Sequence, residues 1–230
     1  MAQNTAMHPL DNPAWSALSS RQQHLARGAG LARRYDGDYA TFATAVNHSD
    51  EPLAALGALV ARTGPAIVLE KDPLPPVPDA IAQKHRMGVQ MVAEHPAPAD
   101  PDFAFLELGD ADAAEMLALA TLTEPGPFFA RTHQLGQFIG IRHEGRLIAM
   151  AGERMKPFEF TEVSGVCTHP DFRGLGLAGK LMRVVAARIV ARGEIPFLHA
   201  YADNASAIGL YERLGYRHRI DVNVTVLGPA

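Results

Sequence analysis

The chain contains few cysteine, tryptophan or other aromatic residues. Its 230 residues include one cysteine and one tryptophan, and 7% of them are aromatic. A single cysteine excludes an internal disulfide framework and is typical of a reducing compartment. The ten histidines form no His-x-His or His-x-x-x-His pair, and one cysteine cannot complete a zinc site. We therefore expect no metal ion.

Long apolar runs and a strong charge of either sign are also missing. No stretch of about 18 apolar residues is present, which excludes a membrane-spanning helix. Residues 1–10 lack the basic and then apolar segments of a signal peptide, so we expect none. A net charge of −4 provides no general attraction to nucleic acid or to anionic lipid. We expect a cytoplasmic protein that binds neither nucleic acid nor a membrane.

Two proline-rich segments divide a chain whose 47% of apolar residues can build a substantial core. Prolines recur too densely over residues 71–79 for a helix or an inner strand, which predicts an extended loop. The second group, residues 96–101, has the composition of a linker. We place a domain boundary there, with a smaller N-terminal α+β domain over residues 1–98 and a second domain over residues 99–230.

The first domain shows clear helix signals but no recognisable motif. Capping residues predict helices after Asn12 and after Ser19, the second one ended by Gly28 and Gly30. A third helix is predicted between Asp50 and Gly64. Short strands are expected over residues 66–69 and 89–93.

The second domain alternates strands and helices. Periodicity and turn signals predict strands over residues 103–108, 137–142, 146–155, 159–168, 195–201 and 216–226. They predict helices over residues 111–122, 174–192 and 205–214, and a short helical turn near residues 128–133. The sequence therefore predicts an α/β fold built on one mixed sheet.

The stretch from Glu162 to Gly179 carries the strongest chemical signal. An apolar strand ends before Pro170, and Gly174, Gly176 and Gly179 then open a helix. Glycines at a strand-to-helix junction leave backbone N–H groups uncovered, and the positive end of the helix dipole lies beside them. These features predict a cradle for a pyrophosphate.

Three known phosphate-binding patterns fit part of this stretch. The P-loop pattern fails because Leu181 stands where a magnesium-binding Ser or Thr is needed. The dinucleotide pattern G-x-G-x-x-G is satisfied, and Asp203 follows the next strand, near the place of a ribose-binding acid. However, residues 169–173 separate the strand from the first glycine, and too little chain follows for a doubly wound sheet. A nicotinamide-dependent oxidoreductase is therefore kept as the weaker alternative.

The third pattern fits at every position. Residues 173–178, Arg-Gly-Leu-Gly-Leu-Ala, resemble the R/Q-x-x-G-x-G/A signature of the GNAT superfamily of acyl-CoA N-acyltransferases. Residues 204–216 resemble the N-x-x-A-x-x-L-Y-x-x-x-G-F/Y segment of the same superfamily. The resemblance implies a GNAT fold over residues 99–230. The additional segment, residues 1–98, is compatible with a degenerate half-GNAT unit, as in the glycine N-acyltransferase-like branch.

The resemblance implies transfer of an acetyl group from acetyl-CoA to a primary amine, by direct attack in a ternary complex. The pantetheine arm would lie along Gly165, Val166 and Cys167, where Gly165 is also expected to form a bulge that opens the cleft. Asn204 is a further expected coenzyme-binding residue. The pyrophosphate would bind at Arg173, Gly174, Leu175, Gly176, Leu177 and Ala178. Lys180 and Arg183 either add cations to this site or form a solvated helix face.

The same resemblance implies that Tyr211 is the general acid, two helical turns after Asn204. Glu162 is the expected base, because a carboxylate in an apolar strand is costly unless it is paired or functional. Glu153, His133 and a water chain remain alternatives. A thiol relay through Cys167 and His169 is a further alternative.

Other properties stay open at this stage. A catalytically silent acyl-CoA-binding module with a regulatory role is the main alternative to an enzyme. The acceptor amine could belong to a small molecule, an amino acid or a peptide. The alternating final strand suits either the seam of a homodimer or an edge strand packed on its own domain.

Overall fold

The computed structural model describes residues 8–230, which form two β-sheets and five α-helices. Residues 1–7 lie outside the described residues. They make up most of the segment in which no signal peptide is expected. The helices are α1 Pro13–Leu18, α2 Asp50–Thr63, α3 Ala113–Thr123, α4 Leu177–Ala191 and α5 Ala205–Arg213. Single 3-10 turns lie at Gln23–Leu25, Asp110–Asp112, Thr132–Leu135 and Pro170–Phe172.

The strands are β1 Ala26–Arg27, β2 Ala32–Tyr35, β3 Ala43–Ala45, β4 Ala66–Glu70, β5 Ala80–Val92, β6 Leu106–Leu108, β7 Phe138–His143, β8 Arg146–Glu153, β9 Phe160–Thr168, β10 Ile195–Tyr201 and β11 Arg217–Pro229. The first three form a small antiparallel sheet. The other eight form one sheet in the order β4-β11-β5-β10-β9-β8-β7-β6. Only β9 and β10 pair in parallel, so the predicted α/β fold with a mixed sheet is confirmed.

The large sheet crosses the boundary predicted from the proline-rich linker. β4 and β5 precede residue 98, yet β5 lies between β10 and β11 and pairs with both. The strands before and after the linker therefore share one hydrogen-bonded sheet. The division into residues 1–98 and 99–230 stays a prediction about independent folding units.

The two faces of the large sheet are covered by different parts of the chain. On one face, α4 buries the predicted stripe that includes Leu181, Val185 and Ile189. On the other face, α1 and the small sheet bury Leu10, Tyr35 and other apolar side chains against β9 and β10. Full burial of one large aliphatic side chain stabilises the fold by about 1.5–3 kcal/mol. Residues before the linker therefore cover part of the face opposite α4, and α3 covers another part of it against Phe138 and Met150.

Two predictions for the N-terminal part are wrong in detail. The helix expected after Ser19 is a 3-10 turn followed by β1, and Gly28 and Gly30, with φ of 84° and 70°, form the turn between β1 and β2. The strand expected over residues 89–93 begins at residue 80. Its first half is largely exposed, and pairing with β11 rather than burial holds it in place.

The final strand is not an edge strand. β11 pairs with β4 on one side and with β5 on the other, so the edge-strand alternative is wrong, while the homodimer stays a prediction. Within residues 8–230, no helix is both long and apolar enough to cross a membrane.

Candidate active site

A β-bulge in β9 opens the sheet at the predicted position. In the pairing of β8 with β9, Gly152 lies opposite Ser164 and Met150 lies opposite Cys167, so β9 contains one extra residue. Gly165 has a φ of 63°, and a Cβ atom there would lie 2.7 Å from Cε1 of Phe138. The bulge requires glycine for both reasons. The bulge predicted at Gly165 is confirmed.

Beyond the bulge, β9 and β10 separate. Their parallel pairing ends where Glu162 lies opposite Phe197. Residues 163–168 of β9 have no β10 partner, so this edge presents backbone N–H and C=O groups to the gap. Such an edge can bind the amides of an extended ligand as it would bind another strand.

The glycine-rich loop ends in an uncapped helix start. Gly174 and Gly176 have φ of 83° and 73°, a conformation that favours glycine, and α4 begins after them at Leu177. The helix predicted to start at residue 174 therefore starts three residues later. The N–H groups of residues 174–179 donate to no described residue. With the helix dipole behind them, they form an anion site.

These two features face a common cleft, named here the coenzyme cleft, with a volume of about 520 Å³. Most of the predicted coenzyme-binding residues line it: Val166, Cys167, Arg173, Gly174, Gly176, Leu177 and Ala178. Gly165 faces the narrow gap next to the cleft. Leu175 does not line the cleft, and its side chain is 61% exposed. It can contribute only its backbone to a ligand there.

Asn204 lies at the start of α5, the helix that carries Tyr211. Its side chain accepts a hydrogen bond from the N–H of Ala207 at 3.1 Å, which caps the start of α5. Asn204 does not line the coenzyme cleft, although it lines the neighbouring pocket described below. Its predicted contact with the coenzyme stays a prediction.

Tyr211 lies at the inner end of the coenzyme cleft. Its hydroxyl makes no hydrogen bond to any described residue, and its ring packs 6.3 Å from that of Tyr216. Burial raises the pKa of Tyr211 above its ordinary value. The phenol therefore stays protonated near neutral pH and can donate a proton into the cleft.

A second pocket, named here the inner pocket, has a volume of about 340 Å³ and opens beside the first. Thr123, Val166 and Tyr211 line both pockets. The inner pocket was not predicted from the sequence, because its walls come from distant segments. Its apolar wall consists of Phe42, Ile67, Leu69, Val222 and Val224, and its polar wall includes Arg154 and His199.

Glu162 lies at the base of this polar wall and is fully paired. Its Oε1 accepts hydrogen bonds from Nη2 of Arg154 and from Nδ1 of His199, each at 2.8 Å. Its Oε2 accepts from Nε of Arg154 at 2.8 Å and from the N–H of Met155 at 3.3 Å. His199 was not singled out by any sequence pattern.

The surroundings of Glu162 favour its charged form. Burial alone would raise the pKa of the carboxyl group, but the charge of Arg154 and the hydrogen bonds from Arg154 and His199 outweigh it. The net effect holds the pKa of Glu162 well below its usual range. A carboxylate with so low a pKa is a weak proton acceptor.

The other candidate bases lie away from both pockets. Glu153 forms ion pairs with Arg192 at 2.7 Å and with Lys156 at 2.9 Å. His133 is buried and forms a hydrogen bond with Asp110 at 2.7 Å. Neither residue lines the coenzyme cleft or the inner pocket.

The two cations expected near the cradle also lie off the cleft wall. Lys180 stacks over the ring of Phe103 at 5.5 Å, and Arg183 donates a long hydrogen bond of 3.5 Å to the carbonyl of Pro98. Their contribution to anion binding stays a prediction.

Asp203, the expected ribose-binding acid of a dinucleotide enzyme, binds Arg86 with both of its oxygens. It does not line the coenzyme cleft. A nicotinamide-dependent oxidoreductase would therefore lack the ribose contact expected of Asp203.

Cys167 lines the coenzyme cleft as a protonated thiol. Burial raises its pKa to about 11, and a hydrogen bond with Thr123 offsets only part of this effect. His169 does not line this cleft, and its Nε2 accepts a hydrogen bond from Arg146. Among residues 8–230, no group of three or more His, Cys, Asp or Glu side chains could hold a metal ion.

Comparison with known proteins extends these observations. The model of the FR47-like protein family matches residues 138–226. A crystal structure from Novosphingobium aromaticivorans, described as an acetyltransferase of the GNAT family, is 45% identical and has a TM-score of 0.91. The match covers 97% of this chain and 99% of that one.

Two more distant structures share the fold. A GCN5-related N-acetyltransferase from Kribbella flavida is 18% identical, with a TM-score of 0.62 over 94% of this chain and 95% of that one. A GNAT-family acetyltransferase from Colwellia psychrerythraea is 13% identical, with a TM-score of 0.52 over 86% of this chain and 80% of that one. Because the first relative is 45% identical over nearly its whole length, the chain belongs to the GNAT family of acetyltransferases.

Proposed function

We propose that this protein transfers an acetyl group from acetyl-CoA to a primary amine by direct attack within a ternary complex. One observation carries the proposal: Val166 and Tyr211 line both the coenzyme cleft and the inner pocket. Two ligands bound in these pockets would therefore meet at the bulged edge of β9, beside an unpartnered phenol.

The residues of the coenzyme cleft fit acetyl-CoA. The free N–H groups of residues 174–179 match a pyrophosphate, and the unpaired edge at residues 165–167 matches the amides of a pantetheine arm. When bound, acetyl-CoA supplies an acyl group activated as a thioester.

Tyr211 is the proposed general acid. The amine nitrogen forms its bond to the acetyl carbon as the carbon–sulfur bond breaks. The nitrogen loses one proton, and Tyr211 gives one proton to the departing sulfur, so the products are an N-acetyl amine and the coenzyme A thiol. The raised pKa of Tyr211 keeps the phenol protonated until that step.

Glu162 lies near the inner pocket but has donors at both oxygens, and its pKa is lowered. This arrangement favours loss of the amine proton through water, with Glu162 holding Arg154 and His199 in place. Direct proton acceptance by Glu162 stays a prediction, and so do the glycine N-acyltransferase-like branch and the cytoplasmic location.

The test combines binding and transfer. Acetyl-CoA binding is measured by calorimetry, and coenzyme A release is measured with a thiol reagent across a panel of amines, amino acids and short peptides. The proposal predicts saturable acetyl-CoA binding and amine-dependent release of coenzyme A. Binding without release for any acceptor would instead support the catalytically silent module, and binding of NADH without coenzyme A would support the oxidoreductase.

A further inference from the structure

The guanidinium of Arg154 is only partly used by the fold. Arg154 is 8% exposed, and its Nε and Nη2 donate to the two oxygens of Glu162 at 2.8 Å each. Its Nη1 donates to no described residue. Because Arg154 lines the inner pocket, this nitrogen is available to an oxygen atom of a ligand there.

Arg154 faces the place where the amine must react. It lines the inner pocket and also a narrow gap of about 50 Å³, whose walls include Gly165 and Tyr211. The guanidinium carbon lies 4.7 Å from the ring centre of Phe42, on the apolar side of the pocket. A ligand atom bound to Nη1 is therefore close to both the proposed acid and the apolar wall.

The fold fixes the direction of the guanidinium. The N–H of Arg154 donates to the carbonyl of Glu162, and the N–H of Glu162 donates to the carbonyl of Met155, which places the two side chains opposite each other. His199 of β10 contacts the carboxylate of Glu162 through Nδ1, and its Nε2 lies 3.0 Å from Nε2 of Gln90. Glu162 and His199 therefore act as positioning residues, and Nη1 stays directed away from them.

One wall of the inner pocket is apolar, while polar side chains line other parts of it: Thr123, Glu124, Tyr201, Asn204 and Tyr211. Val224 of β11 pairs directly with Leu69 of β4, and Ile67 forms a β-bridge with Phe42. These four side chains, together with Val222, line one continuous part of the pocket. An aliphatic group of the ligand would be buried there, because the wall offers no hydrogen-bonding side chain.

We propose that the acceptor is a free α-amino acid with an aliphatic side chain, and that Nη1 of Arg154 binds its carboxylate. The proposal rests on the proposed acetyl transfer and names the substrate class of that same site. A carboxylate gains more from a guanidinium N–H than a neutral carbonyl does, because the hydrogen bond joins opposite charges. The aliphatic side chain packs on the apolar wall, and the amino group lies on the side of Tyr211.

A matched series of acceptors, assayed with the wild-type protein, tests the contact between Arg154 and the acceptor carboxylate. L-leucine, L-leucinamide, 3-methylbutylamine and the dipeptide leucyl-glycine share one side chain and differ only beyond the α carbon. We expect kcat/KM for L-leucine to exceed that for each of the other three by about tenfold or more, because they lose a charged hydrogen bond. L-aspartate should be a poorer acceptor than L-leucine.

A variant pair tests the assigned residue. Arg154→Lys keeps a positive charge for Glu162 but loses the forked guanidinium, so kcat/KM for L-leucine should fall about tenfold more than kcat/KM for 3-methylbutylamine. Arg192→Lys is the matched control, because Arg192 pairs with the buried Glu153 but lines neither pocket. It should leave both values unchanged.

The outcomes separate this inference from the proposed function. Equal kcat/KM for leucine, its amide and its amine overturns the carboxylate site while leaving acetyl transfer intact, and equal use of leucyl-glycine overturns the choice of a free amino acid. If no acceptor is acetylated, the proposed function fails, and thermal unfolding with bound coenzyme A decides the inference separately. L-leucine should then raise Tm and leucinamide should not, and identical Tm values would overturn it. If Arg154→Lys does not fold, the Tm comparison of L-leucine with leucinamide on the wild-type protein decides the inference instead.

Discussion

The coenzyme cleft and the inner pocket differ in how the chain builds them. The cleft is formed mainly by residues between 166 and 179, together with Thr123 and with Ser206, Leu210 and Tyr211 of α5. Its predicted ligand groups are mostly backbone N–H and C=O groups. The inner pocket is formed mainly by side chains from β4, β10 and β11, by Arg154 just after β8, by the segment around Phe42 and by residues 123–127. Adjacent residues thus build one half of the site, and tertiary packing builds the other.

This difference explains what each half can reveal about function. A backbone cradle can be encoded by a few glycines, and it binds a ligand common to many proteins. In the proposed function, the side chains of the inner pocket would discriminate among acceptors, and three of these residues precede the predicted boundary at residue 98. The FR47-like family model spans residues 138–226 and does not include Phe42, Ile67 or Leu69.

Removal of residues 1–98 should have the largest effect on this comparison. The fragment 99–230 lacks β5, which pairs with both β10 and β11, and lacks one wall of the inner pocket. We expect it to show no cooperative unfolding transition, because two long strand edges and an apolar sheet face are exposed. Circular dichroism with urea measures this directly. A cooperative fragment that binds acetyl-CoA would instead support two independent domains.

Glu162→Gln should lower the free energy of unfolding by about 3 kcal/mol near neutral pH, because it leaves the buried charge of Arg154 without its partner. The folded pKa of Glu162 is lowered from 4.5. The advantage of the wild type is therefore complete above about pH 5 and decreases as the pH falls below 4.5 toward the folded pKa. Urea unfolding at about pH 7 and about pH 4 measures the two differences.

The control for this prediction is Glu107→Gln, since Glu107 forms a similar ion pair with Arg188 on the surface. Solvent screens that pair, so its loss should cost no more than about 1 kcal/mol. A pH-independent difference between wild type and Glu162→Gln would contradict the assigned role of the Glu162 charge. If Glu162 is instead the direct base, kcat should also fall strongly in the folded variant.

Gly176→Val should weaken acetyl-CoA binding by roughly 10- to 100-fold, because valine resists the positive φ that precedes α4. Gly193→Val is the matched control. Gly193 has a φ of 76°, close to the 73° of Gly176, and neither site has an atom within 4 Å of an added Cβ. Both variants should lose similar stability, whereas only Gly176→Val should change the Kd of acetyl-CoA. Equal Kd values would contradict the backbone cradle.

Cys167→Ala should have the smallest effect, with the transfer rate within about twofold of wild type, because a buried thiol acts mainly as a small apolar group. The pKa of about 11 leaves little thiolate to attack a thioester. Coenzyme A release measures the rate. An acetylated Cys167 detected by mass spectrometry during turnover would contradict direct transfer.

The coenzyme cleft was largely predictable because its signals are local. Glycines at residues 165, 174 and 176 all adopt positive φ, a requirement that the residue type itself indicates. The cap at Asn204 and the position of Tyr211 two turns later follow equally from short-range helix geometry. The exposed side chain of Leu175 shows the limit of such a motif, since it marks a backbone position only.

The inner pocket could not be predicted, because its residues are ordinary apolar and charged side chains within their own segments. Phe42 and Ile67 meet only through a bridge between strand segments, and Arg154 and His199 meet only because each contacts Glu162. The carboxylate at Glu162 was recognised as unusual, but its partners were not. Whether it pairs or accepts protons depends on those partners.

Single-turnover transfer by Tyr211→Phe tests the central claim that the two pockets meet at a phenol that acts as the general acid. Tyr216→Phe is the matched control, because the Tyr216 hydroxyl is buried, lacks a hydrogen-bond partner among residues 8–230 and lines neither pocket. With acetyl-CoA affinity unchanged in both variants, the rate of Tyr211→Phe should fall by about 10²- to 10⁴-fold and that of Tyr216→Phe should stay near wild type. A Tyr211→Phe rate equal to wild type would contradict the account.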